Sequence, residues 1–422
     1  MSIQMATHGD EEEGMLNNLS NLIVLGVVAI LSSCAWAVEY YVDNKTGDDV
    51  NDGRTPAHAF RTLRKASSIL SPGDVLDIAP GKIYRESLVL RNGGTATAPI
   101  VIRGNGAVLS GLEPISDGSW TGGDDGLFFS ANKACWGALS PRVVDQSGRL
   151  LTVASHRTVK SERAKTLKPG EALWNAEGVW YRARKGESPV GLGLKGYFRE
   201  SGVKIEDCSH IVIERLVVER FSNDGFNVHG SCHDLTFRQI EARWNGDDGF
   251  SVHEDVEACV RGGSFHHNGD GIADVHRSRT SYCDVTVEDN ESFGVGFYGG
   301  IRCLRDSIVR NNGGNQIQIY RDKDHGNRPE DLSPLYDPVV CLDNVRVEGG
   351  RRATVGLLVG AGATVCAEGC VFCGVDIGLR LDGGRTRIRK TCVSDCRKKM
   401  VFQERDAILD GEPETAEGGP LQ

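Results

Sequence analysis

The sequence has few prolines, few aromatic residues and no long hydrophobic run. Of 422 residues only 13 are proline and 7% are aromatic, whereas 53 are glycine. This composition favours a fold with many tight turns over a helical bundle, so we expect an all-β protein. No stretch approaches the roughly 18 consecutive apolar residues of a membrane-spanning helix. Positive charge is not in excess either, because the net charge is −10, which disfavours nucleic acid as a partner.

The N-terminal segment has the pattern of an export signal. Residues 22–31 are apolar, and Ala35-Trp36-Ala37 is an A-x-A site of the kind that signal peptidase accepts. We therefore predict a signal peptide over residues 1–37 and a secreted or periplasmic protein. Leu31-Ser32-Ser33-Cys34 leaves a lipoprotein anchored at Cys34 as the alternative.

A repeat of about 22 residues runs through the second half of the chain. It is marked by a glycine or its equivalent, with steps of 24, 22, 23, 22, 40 and 22 residues between marks. Stretches such as 211–213 and 379–381 alternate apolar and polar residues, as strands do. Short strands that recur at this period without helices between them predict the stacked coils of a parallel β-solenoid. The marks are Gly225, Gly249, Gly271, Gly294, Gln316, Gly356 and Gly378.

Four asparagines keep nearly one phase in this repeat, three or four residues before the mark. They are Asn245, Asn268, Asn290 and Asn312. This spacing resembles the asparagine ladder of right-handed parallel β-helices, in which side-chain amides hydrogen-bond along the stack and satisfy turn backbone. The prediction is a right-handed parallel β-helix with structural asparagines.

The remaining segments divide the chain further. Residues 59–70 have an apolar helical face that suits an N-terminal capping helix, and Val75–Ile78 is predicted as the first rung. The repeat phase disappears after Leu112, where four of six tryptophans occur, so we predict an inserted β-rich subdomain whose aromatics line a cleft or form a satellite core. The predicted domains are residues 1–37, signal peptide; 38–112, cap and first rungs; 113–203, insert; 204–403, β-helix; and 404–422, disordered acidic tail.

The cysteines follow the same repeat rather than a zinc pattern. Cys208 and Cys232 are 24 residues apart, as are Cys259 and Cys283. We therefore predict that these cysteines are small core residues stacked along the solenoid. An even number of cysteines remains after removal of the signal peptide, so disulfides stay an open alternative. The spacings near residue 370 fit no zinc module.

Several N-terminal motifs resemble the start of secreted bacterial β-helix proteins of the pectin-lyase-like superfamily. They are Tyr40-Tyr41-Val42-Asp43, Ala59-Phe60-Arg61-Thr62-Leu63, Pro72-Gly73-Asp74, Pro80-Gly81 and Ala98-Pro99-Ile100. The resemblance covers roughly residues 38–112 and implies the β-helix fold, export and action on polysaccharide. Because the superfamily includes hydrolases, lyases and epimerases, it does not decide the reaction.

Aspartates and histidines recur on consecutive predicted rungs. Alternation of strand side chains predicts that Asn227, His229, Ser251 and His253 point outward. Together with the aspartates they are expected to form the floor of a groove suited to an extended polymer. The candidate catalytic residues are Asp224, Asp247, Asp248, Asp270, His253 and His276. The candidate substrate-binding residues are His229, Asp274, Arg277, Tyr298, Tyr320 and Arg321.

Three functions compete for this strip. Aspartates about 5 Å or about 10 Å apart bracket the separations of glycosidases, and crowding raises one pKa to supply a general acid, so cofactor-free hydrolysis is preferred. Gly246-Asp247-Asp248-Gly249 resembles the calcium-binding motif of one pectate lyase family, which implies Ca²⁺ at Asp247 and Asp248 for a uronate lyase or epimerase. No lysine lies between Lys204 and Lys323 to serve as its base, which counts against elimination. The third function is a non-catalytic, monomeric glycan-binding protein.

Overall fold

The structure is a computed structural model that describes most of the chain after the predicted signal peptide. The described residues are 37–123, 125–133, 140–155, 158–321, 336–349, 354–403 and 407–414. The predicted signal peptide and Cys34 lie almost wholly outside them. Within these ranges, no helix combines the length and the apolar character needed to cross a membrane.

Short strands dominate the described residues. In chain order they are β1 Glu39–Val42, β2 Val75–Ile78, β3 Ile83–Tyr84, β4 Leu88–Leu90, β5 Ile100–Ser110, β6 Leu112–Pro114, β7 Trp120–Gly122, β8 Leu127–Ser130, β9 Val143–Val144, β10 Thr152–Ser155, β11 Ala172–Trp174, β12 Val179–Arg182, β13 Lys195–Tyr197, β14 Val203–Glu206, β15 Ile211–Glu219, β16 Phe226–His229, β17 Ser231–Arg243 and β18 Asp248–Val252. They continue with β19 Asp255–His266, β20 Asp270–Val275, β21 Arg279–Glu288, β22 Val295–Tyr298, β23 Ile301–Arg305, β24 Ile308–Arg310, β25 Ile317–Tyr320, β26 Val339–Asp343, β27 Arg346–Glu348, β28 Val355–Val359, β29 Thr364–Glu368, β30 Val371–Cys373, β31 Ile377–Leu381, β32 Arg385–Arg389, β33 Cys392–Ser394, β34 Lys398–Phe402 and β35 Ile408–Asp410. The helical segments are α1 Leu63–Ser67 and the 3₁₀ turns Pro56–His58, Asp117–Ser119 and Ser161–Thr166.

Two parallel sheets build the solenoid from these strands. The ten-stranded sheet, called the site sheet below, is made of β4, β14, β16, β18, β20, β22, β25, β28, β31 and β34. A 17-stranded sheet, called the long sheet, supplies the remaining walls of each rung among the described residues. The strands of each sheet pair in parallel with the next rung, as the repeat predicted. The sequence predicted Val75–Ile78, which is β2, as the first rung. The solenoid begins one strand earlier, because β1 pairs in parallel with β2.

Apolar columns inside the solenoid fix the register. In the site sheet one column is aligned residue by residue from rung to rung and is fully buried. A slip of one residue would expose the whole column to solvent, so the apolar alternation specifies which side chains reach the outer face. The column is Phe226, Phe250, Ile272, Val295 and Ile317.

The asparagine ladder is confirmed. The Nδ2 atoms of Asn245, Asn268 and Asn290 donate to the Oδ1 atom of the next asparagine at 2.9, 3.1 and 2.8 Å. Asn312 ends the ladder by donating to Gln316 Oε1 at 2.9 Å. The same Oδ1 atoms accept from backbone N–H groups at the turns, for example from Asn245 N to Asn268 Oδ1 at 3.0 Å. Buried turn backbone is thereby satisfied.

The N-terminal cap contains a much shorter helix than the predicted residues 59–70. Helix α1 begins after Thr62, whose side chain accepts a hydrogen bond from Lys65 N, and it ends at Ser67. Leu63 and Ala66 are fully buried in the solenoid core, as the apolar face required. A helix of this length still places apolar side chains over the first coil.

The segment predicted as an insert forms sheets of its own. Strands β6, β9 and β13 make one antiparallel sheet, and β7, β8, β10, β11 and β12 make a mixed sheet in which only the β10–β11 pair is parallel. Trp174 is fully buried there, with Trp120 packed against the same satellite core. The solenoid resumes at Val203, the first residue of β14, which is one residue inside the predicted boundary of the insert.

The predicted disordered tail is wrong for its first part. Strand β35 pairs in parallel with β32, although the prediction placed residues 404–422 outside the fold. Leu409 packs against the core. The two apolar residues Ile408 and Leu409 are thus enough to add one more strand to the long sheet, although acidic residues surround them. Residues 415–422 lie outside the described residues.

All eleven described cysteines are free thiols. Cys208, Cys232 and Cys370 are buried as predicted, and the others are half-buried. The predicted stacking of Cys259 on Cys283 is wrong, since Cys259 pairs with Ser281.

Candidate functional site

A groove of about 910 Å³ lies on the outer face of the first rungs of the site sheet. It is called the acidic groove here, because its lining is rich in carboxylates. They are Glu200, Glu206, Asp207, Asp224, Asp247, Asp248 and Glu254, and the lining also contains Arg91, Lys204, His229 and His253. Strands β14, β16 and β18 position four of these side chains, namely Lys204, Glu206, His229 and Asp248.

Three of the predicted aspartates meet at one end of the groove. Carboxylate oxygens of Asp224, Asp247 and Asp248 lie within 4.8 Å of one another. Asp248 pairs in register with Asp270 on the next rung, so the fourth predicted aspartate borders the same cluster. The 24-residue spacing therefore places these residues together, and they are called the aspartate cluster below.

The outward strip predicted that the aspartates face the solvent, but Asp248 is only 9% exposed. Asp224 is only 2% exposed. Its Oδ2 accepts from Asn223 Nδ2 at 3.0 Å and also from Asn227 Nδ2, and its Oδ1 accepts from Asp248 N at 3.2 Å. Burial, together with the neighbouring Asp247 carboxylate, raises the pKa of Asp224 well above its usual range. Alternation applies to residues within the strands and did not place these aspartates, since Asp224 lies in the turn before β16 and Asp248 is the first residue of β18.

The other carboxyls are shifted in the same direction. Burial, and then the surrounding aspartates, raise the pKa of Asp248 well above its usual range. Burial raises the pKa of Asp270 to about 6, and Asp247 adds to the shift. Like charges this close cannot all ionise without a counter-charge, so the cluster favours bound protons or a cation.

An unpartnered oxygen lies beside the cluster. Asn223 is 9% exposed, and its Oδ1 atom has no hydrogen-bond partner among the described residues. A buried amide oxygen without a partner costs free energy unless a donor or a cation binds it. Together with three carboxylates it forms an oxygen-rich donor set.

The predicted histidine column is only partly correct. The rings of His229 and His253 stack at 4.1 Å with an interplanar angle of 9°. His276 is not in this column, because Val252 pairs with Asp274 and Val275 therefore takes the next position. His276 instead lies one residue later in a left-handed bend with φ 59° and accepts from Glu254 N at 3.0 Å.

Asp274 is not in the groove, and its predicted substrate-binding role is wrong. It occupies the inward column between Val252 and Phe297 and is fully buried. Inside the solenoid its carboxylate lies 3.2 Å from Arg302 Nε and accepts from Tyr282 Oη at 2.7 Å. The sequence does contain a signal for this inward position. The other members of the same column, such as Val252 and Phe297, are apolar.

We expect Arg302→Met to destabilise the protein by about 3–5 kcal/mol, because it leaves the Asp274 charge buried without compensation. Arg305→Met is the matched control on the same strand, since Arg305 pairs with Asp343 at 2.9 Å on an exposed surface and such pairs contribute about 0–1 kcal/mol. Urea unfolding of both variants measures the difference. Equal losses would show that Arg302 has no special structural role.

The remaining predicted binding residues lie away from the aspartate cluster or are buried. Arg277 pairs with Asp255 at 3.3 Å, and Arg321 pairs with Asp337 at 2.5 Å. Tyr298 is buried and accepts from Gln318 Nε2 at 2.6 Å, with Tyr320 packed beside it. None of the four lines the acidic groove.

Sequence reasoning missed Lys204. This residue lies on β14, where it pairs in register with Asn227, one rung before the predicted strip. Its Nζ lies 2.7 Å from Glu200 Oε2, and both side chains line the acidic groove. The search for a lysine covered only the rungs after Lys204, whereas the groove extends one rung earlier.

Comparison with known proteins agrees with the architecture. Residues 199–331 match a family model described as "Right handed beta helix region". No curated protein sequence gives a significant match. This match and the parallel ladders show a right-handed parallel β-helix, the fold that the N-terminal motifs implied.

Similar solved structures include several β-helix enzymes. Pectate lyase Pel9A is 11% identical, covering 87% of this chain and 78% of its own at a TM-score of 0.47. A glycoside hydrolase is 11% identical, covering 89% and 96% at 0.49. The mannuronan C-5 epimerase AlgE4 A-module of Azotobacter vinelandii is 13% identical, covering 80% and 91% at 0.40. No activity follows for this chain from similarities at this level.

Proposed function

We propose that the acidic groove binds a divalent cation of the Ca²⁺ type and cleaves an anionic polysaccharide by β-elimination. The observation that carries this proposal is the donor set at the aspartate cluster, in which three carboxylates and the unpartnered Asn223 Oδ1 lie beside a groove that also contains Lys204. Turn formation alone explains neither the convergence of the oxygen donors nor the lysine in the same groove.

The residues present fit a hard cation. Ca²⁺ prefers six to eight oxygen ligands, supplied by carboxylates, amide carbonyls and water. Asp224, Asp247, Asp248 and Asn223 would hold it, and its charge would relieve the repulsion that raises the carboxyl pKa values. When bound, the cation supplies charge neutralisation of a substrate carboxylate, which makes the adjacent C–H more acidic.

The groove suits an extended acidic polymer. It follows several rungs, so that equivalent positions repeat about every 4.8 Å along the solenoid. Its seven carboxylates would repel a polyanion, and Arg91 and Lys204 offset only part of that charge. Binding of a uronate chain therefore requires the cation, which links substrate affinity to Ca²⁺.

Lys204 is the proposed base. As the base, Lys204 Nζ takes the proton from the carbon next to the substrate carboxylate, and the electron pair forms a double bond as the bond to the leaving oxygen breaks. Water supplies the proton to that oxygen. Glu200 Oε2, at 2.7 Å from Nζ, orients the lysine amine within the groove that both side chains line.

Hydrolysis is the second candidate, and one observation favours it. The pKa of Asp270, raised by burial to about 6, is suited to a general acid near neutral pH. In this alternative, Asp270 protonates the leaving oxygen and an ionised aspartate of the cluster activates water.

One assay distinguishes the two candidates. Purified full-length protein is incubated with uronate and neutral polysaccharides, with EDTA and with Ca²⁺ added back, while ultraviolet absorbance and reducing ends are recorded together. Absorbance that EDTA removes and Ca²⁺ restores supports elimination, because only elimination leaves an unsaturated sugar. Reducing ends without absorbance assign hydrolysis, and the absence of both on every substrate argues against either enzyme.

A further inference from the structure

A second set of metal-ligand side chains lies in the acidic groove, away from the aspartate cluster. Ligand atoms of His229, His253 and Glu254 all lie within 4.8 Å of one another. His229 Nδ1 is 3.3 Å from Glu254 Oε2, and the two imidazole rings are parallel at 4.1 Å. All three side chains are half-buried, so a cation has access from solvent.

The backbone around these side chains holds them in place. Glu254 Oε2 accepts from Gly230 N at 3.1 Å, and Glu254 N donates to His276 Nδ1 at 3.0 Å. The stack of His229 on His253 follows from the rung register, because Val228 pairs with Val252 immediately before them. The solenoid itself therefore brings the two imidazoles together, whatever happens at the aspartate cluster.

The two sets of ligands cannot share one ion. Asp248 begins strand β18, and His253 directly follows its end, five residues later. At about 3.3 Å per residue the two side chains are separated by about 16 Å along the strand. The donor chemistry differs as well, since one set offers only oxygens and the other offers two imidazole nitrogens.

We propose that His229, His253 and Glu254 bind a borderline transition-metal dication, of which Zn²⁺ is the model. Two imidazole nitrogens and one carboxylate oxygen suit Zn²⁺, whereas Ca²⁺ prefers oxygen ligands. The nitrogen lone pairs of two parallel rings do not converge, so at least one imidazole turns out of the stack to bring its donor atom to the roughly 2.0–2.2 Å that zinc requires. The fourth position opens to the groove, where water or an oxygen of a bound chain completes the coordination.

Binding of the metal itself is the test, which makes it independent of the elimination mechanism. Full-length protein stripped with EDTA and freed of chelator is titrated with ZnCl₂ and, separately, with CaCl₂ by calorimetry. We expect His253→Gln and Glu254→Gln each to weaken Zn²⁺ binding at least about tenfold. His210→Gln is the matched control, because His210 also lies 2.9 Å from a carboxylate, that of Asp234, but outside the groove. Its Zn²⁺ affinity should equal that of wild type.

Two further measurements separate this site from the rest of the chain. Asp248→Asn should lose Ca²⁺ binding and keep Zn²⁺ binding, so that failure of the calcium site does not count as failure of the histidine site. Co²⁺ in place of Zn²⁺ should give visible bands without the near-ultraviolet charge-transfer bands of thiolate ligation. Thermal unfolding verifies that the variants fold, and His229→Gln replaces any variant that does not.

The proposal is overturned if the ligand variants bind Zn²⁺ as tightly as wild type, or if His210→Gln weakens binding as much as they do. Thiolate charge-transfer bands would also overturn it, since they would assign the metal to the half-buried cysteines.

Discussion

Lys204→Met is expected to reduce kcat/KM for elimination by about 10²–10⁴-fold, the usual contribution of a general base. The loss should fall on kcat, because methionine preserves the packing of the side-chain stem and removes only the proton acceptor. Ca²⁺ affinity should be retained, since the aspartate cluster is unchanged. Absorbance assays over a range of substrate concentrations, together with Ca²⁺ titration, measure both quantities.

Lys82→Met provides a matched control for this variant. Lys82 is 32% exposed and lies 3.9 Å from the Asp43 carboxylate, while Lys204 is 35% exposed and pairs with Glu200. Lys82 lies outside the acidic groove, so its replacement should leave kcat/KM unchanged. Full activity of Lys204→Met, or an equal loss in both variants, would exclude Lys204 as the base.

The solenoid was predictable from sequence because its determinants repeat. Successive rungs repeat the same apolar column, and four of them repeat the same asparagine, so that one irregular rung does not hide the pattern. Asn268 illustrates this, since its ladder partners occur 22 or 23 residues away on both sides. Helix α1 was harder to delimit because an apolar face persists beyond the residues that have helical backbone.

The site was only partly predictable, because chemistry there depends on single residues. The repeat brought Asp224 and Asp248 to adjacent rungs, but the burial of Asp224 in the turn before β16 and of Asp248 at the start of β18 depends on the packing around them. Asp274 was misassigned because it breaks an apolar column that polar residues seldom enter. Lys204 was missed because the groove begins one rung before the aspartates, a boundary that only the three-dimensional lining reveals.

The second large effect is expected from Asp248→Asn, whose influence on stability should reverse with Ca²⁺. Burial and neighbouring carboxyls raise the pKa of Asp248 in the folded protein. The folded state therefore holds this proton more tightly than the unfolded chain does. The resulting stability is fully present below the unfolded pKa of about 3.9 and is lost as pH rises through the raised folded value.

Asparagine removes this loss because it does not ionise. At pH 8 without metal, we expect Asp248→Asn to be more stable than wild type by about 1–3 kcal/mol, and at pH 4 the two should differ little. With Ca²⁺ at about 1,000 times its dissociation constant, wild type gains about 4.1 kcal/mol and the variant gains little. Wild type then becomes the more stable protein. The variant is expected to lack elimination activity with and without Ca²⁺.

Asp74→Asn is the control for this reversal. Asp74 is also a buried carboxylate, accepting from Val38 N and Ser71 N at 2.9 and 2.8 Å, but it lies at the N-terminal cap. Its replacement should lower stability equally with and without Ca²⁺, so that the stabilisation by the metal matches that of wild type. Chemical denaturation at both pH values, with and without Ca²⁺, gives all the free energies. If Ca²⁺ stabilises Asp248→Asn as much as wild type, the cation does not bind at the aspartate cluster, and elimination through this groove loses its support.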